Sequence, residues 1–161
     1  MAEENQDVAA EQAAQPVFNI EKIYVKDMSL EIPNAPQVFL QKDAPQVNIE
    51  LQNKASRVDE SIFDVVLTIT VTAKIEDKVA FLVEVAQAGI FQVRNVPDDA
   101  IDGLMSVTCA NILFPYAREA VSDMVTRAGF PPVVLNPINF EAIFMQQKQQ
   151  QAAEQAAATQ H

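Results

Sequence analysis

Between Phe63 and Lys74 the chain alternates strictly, with Phe63, Val65, Leu67, Ile69, Val71 and Ala73 on one face and Asp64, Val66, Thr68, Thr70, Thr72 and Lys74 on the other. A period of two filled by β-branched residues predicts a strand buried on one side. After the turn Glu76-Asp77-Lys78 the alternation resumes, with Phe81, Val83, Val85 and Gln87 opposite Ala80, Leu82, Glu84 and Ala86. Together these runs predict a hairpin. Upstream, Val47, Ile49 and Leu51 alternate with Asn48, Glu50 and Gln52 as a third strand would, and residues 54–60 read as a polar connection. The first strand falls within 17–32. Unbroken alternation there places Tyr24, Lys26, Met28, Leu30 and Ile32 on one face and Ile23, Val25, Asp27, Ser29 and Glu31 on the other.

Between these two upstream strands, residues 33–45 contain Pro33, Pro36 and Pro45 around Val38-Phe39-Leu40. Proline cannot donate to a ladder and disfavours helix in the residue before it, so this connection is expected to be extended and unpaired. A connection of this length is usually functional or packed across something. Past Val96 the period becomes helical. Pro97-Asp98-Asp99 suits a helix start, and Ile112, Leu113, Tyr116, Ala117, Ala120, Val121, Met124 and Val125 recur at three and four. Gly129, followed by Phe130-Pro131-Pro132, predicts the end. Asn139 then caps a second helix with the stripe Phe140, Ile143, Phe144 and Gln147. Pro115 inside the first helix costs about 3 kcal/mol or more. It predicts a kink or a junction between helical pieces, compensated at a subunit interface. Four strands followed by two helices is the α+β order, with a four-stranded antiparallel sheet.

Length and charge narrow this picture. A chain of 161 residues is most economically one domain. It is expected over 16–147, between an acidic N-terminal tail (1–15) and a Gln/Ala-rich C-terminal tail (148–161). The net charge of −11 disfavours nucleic acid and anionic lipid as partners. The only cysteine, Cys109, points to a reduced, cytosolic compartment. No signal-peptide pattern opens the chain, and no stretch approaches an uninterrupted apolar membrane span.

The chemistry-bearing inventory is thin. The sole histidine, His161, ends a tail, so no histidine-containing triad can form around a core site. Asp98, Asp99 and Asp102 are read as dipole partners of a first helical turn rather than metal ligands. The three glycines are too scattered to cradle a phosphate. No catalytic residue, metal or cofactor is expected. What remains is surface: alternation groups Ile23, Val25 and Leu82 with Asp27, Glu31 and Glu84, an apolar and acidic patch suited to a basic partner.

The chain resembles the SecB family of protein-export chaperones. The resemblance rests on Ile23-Tyr24-Val25-Lys26-Asp27 with Ser29 and Glu31, Pro33-Asn34-Ala35-Pro36 with Val38-Phe39, and Val66-Leu67 with Thr70-Val71-Thr72-Ala73. It continues through Ala80-Phe81-Leu82 with Glu84-Val85, Gly89-Ile90-Phe91, the block from Asn111 to Glu119, and Asn139-Phe140 with Ala142 and Phe144-Met145. It implies a dimer of dimers that works without ATP, binds unfolded precursor proteins and delivers them to the SecA motor of the bacterial translocase. It also implies that Asp27, Glu31, Leu82 and Glu84 receive the basic, zinc-binding tail of SecA. Clients would occupy a groove of Val38, Phe39, Val47, Ile49, Leu51, Phe140, Ile143 and Phe144. Val83, Val85, Gln87 and Tyr116 would belong to the tetramer interface. The alternative within the same fold is a chaperone for a dedicated non-export client such as an antitoxin. The chain lacks the tryptophan that some relatives carry after Phe39.

Overall fold

The computed structural model describes residues 15–159. Nearly all of the expected N-terminal tail, and His161, lie outside the described residues. Strands β1 (Val17–Glu31), β2 (Gln46–Asp59), β3 (Ile62–Ile75) and β4 (Lys78–Arg94) form one antiparallel sheet in the order β1-β4-β3-β2. Two helices follow, α1 (Asp98–Arg127) and α2 (Phe140–Ala158), giving the α+β architecture expected from the change of period.

The strongest alternation takes the centre of the sheet. Leu67 faces Gln87, Ile69 faces Val85 and Val71 faces Val83 on the covered side of β3 and β4. Against them α1 buries Leu113, Ala117, Val121 and Val125, one face of the helix at a spacing of four. Each such leucine or valine contributes about 1.5–3 kcal/mol relative to an exposed one. Close approach of helix and sheet depends on Gly89, where an added Cβ would sit 2.7 Å from Phe91 Cε2 and 3.1 Å from Leu113 Cδ2.

Several local expectations change. The residues expected as a polar connection after Leu51 continue β2 to Asp59; their polar side chains suit an edge strand that α1 does not cover. The proline-rich connection is not fully extended, because Gln37–Leu40 winds one 3-10 turn that turns Val38 into the core. Asn34 Nδ2 ties it to the Val79 carbonyl at 2.9 Å. Helix α1 stays α-helical through Pro115, and the irregularity lies upstream, where Leu104–Cys109 widens into a π-helical stretch. There Asn53 Nδ2 donates to the Met105 carbonyl at 3.2 Å.

By length and overall hydropathy α1 meets the measure for a membrane span, although polar residues interrupt its apolar runs. Its most apolar face is taken up by β3 and β4. At its end Phe130 N donates to the Val125 carbonyl and Gly129 N to the Thr126 carbonyl, with Gly129 at φ +93°. This is a Schellman cap. Asn139 Oδ1 accepts from Ala142 N at 3.0 Å and starts α2. The stretch from 148 onward, expected as a tail, continues α2 to Ala158 and is exposed throughout.

Candidate functional site

Because α1 roofs the two central strands, the covered side of edge strand β2 is left partly open. Val47 and Ile49 remain 44% and 46% exposed there although their side chains point toward the core layer. Around Val47 lies a trough of about 410 Å³, walled by Val38, Phe39 and Phe130 and floored by Phe81. The aromatic rings form a stack: Phe39 lies 5.1 Å from Phe130, and Phe130 lies 4.9 Å from Phe81. Aromatic pairs at such separations contribute about 0.5–1.5 kcal/mol each beyond the area they bury.

The expected client residues are thus brought to one side of the molecule, but in two depressions. Val38, Phe39 and Val47 line the first; Leu51, Phe140, Ile143 and Phe144 line a smaller one of about 160 Å³ beside α2. Ile49 bridges them along β2, on the same face as Val47 and Leu51. Val38 and Phe140 are nearly fully buried, whereas Phe39 is 47% exposed, so the first two support the walls and the third presents surface. Phe81 and Phe130 were not expected here. For Phe130 a signal exists: the residue after a left-handed glycine cap folds back onto the helix it follows.

On the opposite, open face of the sheet, Asp27 pairs with Ala86, Ser29 with Glu84 and Glu31 with Leu82. Asp27, Glu31, Leu82 and Glu84 therefore share a face, as expected. Ile23 and Val25 do not: they pair with Gly89 and Gln87 and face the α1 side. The cause is a β-bulge between Val25 and Asp27, where Lys26 is the extra residue and reverses the alternation. One carboxylate was missed. Glu50 lies in line with Ser29, Glu84 and Thr70 across the four strands. Thr70 Oγ1 donates to Glu84 Oε2 at 3.0 Å.

The far end of the open face is cationic, with Lys22, Lys26 and Lys54 around Asp64. Asp64 Oδ1 accepts from Tyr24 Oη at 2.7 Å and Oδ2 from Lys26 Nζ at 3.1 Å. That hydrogen bond, then burial, then the charge of Asp64 raise the Tyr24 phenol above its ordinary pKa.

Val83 and Val85 are fully buried and Gln87 nearly so, all within one chain. They lie in the layer under α1 within the single chain, so the helix covers their side chains. Tyr116 is 52% exposed on α1 and remains available. Cys109 is wholly buried, and loss of hydration pushes its thiol up to about 12. At pH 8 the folded protein is therefore expected to leave a thiol-disulfide reagent unreacted, with one thiol titrating on unfolding; stoichiometric reaction of the native protein would contradict this burial.

Fold and site together have the form of a binding surface: apolar depressions on one side of a sheet and a charged strip on the other. The model of the family described as preprotein translocase subunit SecB matches residues 11–151, and the chain belongs to the SecB family. It is 64% identical over 159 residues to the protein-export protein SecB of Methylobacillus flagellatus, covering 99% of each chain. To the protein of the same name from Nitrosospira multiformis it is 58% identical, covering 94% of each. A SecB-like chaperone of Mycobacterium tuberculosis, solved with a peptide from an antitoxin, superimposes with a TM-score of 0.63 at 20% identity, covering 84% of this chain and 99% of that one.

Proposed function

We propose that this protein is an ATP-independent chaperone of the bacterial cytoplasm that holds unfolded precursor proteins competent for export and delivers them to SecA. The observation that carries this reading is the strip Phe39, Val47 and Ile49, left about half exposed beside a closed core. Apolar contact is non-directional and contributes about 25 cal/mol per Å². Such a strip selects clients for being extended and apolar, not for a particular sequence. Delivery is assigned to Asp27, Glu31, Leu82 and Glu84, with Glu50 added from the geometry, whose carboxylates suit the basic tail of SecA.

Assembly as a dimer of dimers is supported by a second uncovered border. Ile20, Val25 and Met28 on the α1 side of edge strand β1 are 49%, 47% and 49% exposed. These side chains, and separately Tyr116 on α1, are apolar surface of the kind that association covers. Four copies of a weak trough also raise avidity for one long client. The dedicated antitoxin chaperone is supported only by a structural likeness at 20% identity, against 64% for a protein named for export.

Native mass measurement of the full chain, with and without a chemically unfolded precursor, tests the reading. The expected result is a tetramer that takes up one precursor chain and releases it as the precursor folds. A monomer, or a tetramer indifferent to the precursor, would overturn it.

A further inference from the structure

Two polar side chains are buried among the described residues, Asp64 and Gln87, and both hold the same backbone irregularity. On the open face, Asp64 grips Tyr24 and Lys26. On the covered face, Gln87 Nε2 donates to the Tyr24 carbonyl at 3.1 Å. Tyr24 and Lys26 flank Val25, where the bulge begins. A bulge interrupts the ladder, so its position needs support from outside it. Here that support arrives from both faces of the sheet at once.

The consequence reaches the acidic strip. With unbroken alternation Asp27 and Glu31 would point to the α1 side, as Val25 does, and Met28 and Leu30 would point outward. The extra residue exchanges them. The ion pair also draws the Lys26 ammonium toward Asp64, away from the neighbouring Asp27 that it would otherwise offset.

We infer that Tyr24, Asp64 and Gln87 are positioning residues: they clamp the β-bulge at Lys26 and so hold Asp27 and Glu31 outward as the docking surface for a basic partner. This rests on the reading of that face given above. Gln87 acts from beneath the sheet and touches no partner.

The test titrates a synthetic peptide of the zinc-loaded SecA tail into the full-length protein by calorimetry. The variants are Gln87→Leu and Tyr24→Phe, each in the natural background and combined with Asp27→Asn and Glu31→Gln. In the natural background each is expected to weaken binding about tenfold, the scale on which contacting groups couple. In the neutralised background neither should weaken it further, and uptake of an unfolded precursor should be unchanged in both. Unaltered affinity in both variants, with Asp27→Asn and Glu31→Gln still weakening the tail, overturns the clamp alone. Equal loss in both backgrounds also overturns it, because that is the mark of general destabilisation. If Asp27→Asn and Glu31→Gln have no effect, the reading of the face falls and the clamp's role falls with it.

Discussion

Phe81→Ala is expected to lower the stability of the fold by about 3–5 kcal/mol, the usual range for removing a buried phenylalanine ring. Phe81 is 1% exposed and lies opposite Ala73, a residue too small to fill the space the ring would leave. The loss is a large part of the roughly 5–15 kcal/mol that holds a typical domain folded. Phe81 is also the floor of the trough and the base of the stack through Phe130 to Phe39. Chaperone activity should therefore suffer beyond the fraction unfolded, because both exposed walls lose their support. Denaturant unfolding at fixed protein concentration measures the first effect, and precursor binding under conditions where the variant stays folded measures the second. Phe39→Ala supplies the contrast: Phe39 is half exposed, so its truncation should cost much less stability while still weakening the client. A Phe81→Ala variant with nearly natural stability would show that the ring is not the keystone of this end of the core.

How much of this was legible in the residues differs from element to element. β3 and β4 could be read face by face, because β-branched residues at a period of two leave only one register that buries them. Three of the four helix ends were legible, from Pro97, Gly129 and Asn139, each acting through local backbone chemistry, whereas the end of α2 at Ala158 was not. β1 was legible as a strand but not as a surface. Nothing in Val25-Lys26-Asp27 announces an inserted residue; the bulge is held by Asp64 and Gln87, which lie about 40 and 60 residues away. The polar end of β2 was hidden because an edge strand beyond the helical roof has no apolar face to show. The trough was half visible for a related reason: alternation marks Val47 and Ile49 only as the apolar face of a half-buried strand, the resemblance alone put them in a groove, and it is the position of α1 that leaves them open.

The other large effect is electrostatic. Replacing both Asp27 and Glu31 by lysine is expected to weaken the basic SecA tail by on the order of 100-fold or more, since like-charge juxtaposition in an interface costs several kcal/mol. Both side chains are exposed, so the fold itself should change by no more than about half a kcal/mol. Precursor binding should persist, because the trough lies on the other side of the sheet, across its buried layer. The proposed interaction with the tail should also weaken as salt is raised, while binding of apolar clients should not, because screening acts on exposed charges and leaves apolar burial intact. Calorimetric titration with the tail peptide and with an unfolded precursor, each at low and high salt, separates the two surfaces. Loss of both activities would mean that the faces are coupled through β1 and not independent. Retention of both would mean that the partner docks elsewhere, and the lysines at the far end of the same face would then no longer mark where the acidic strip stops.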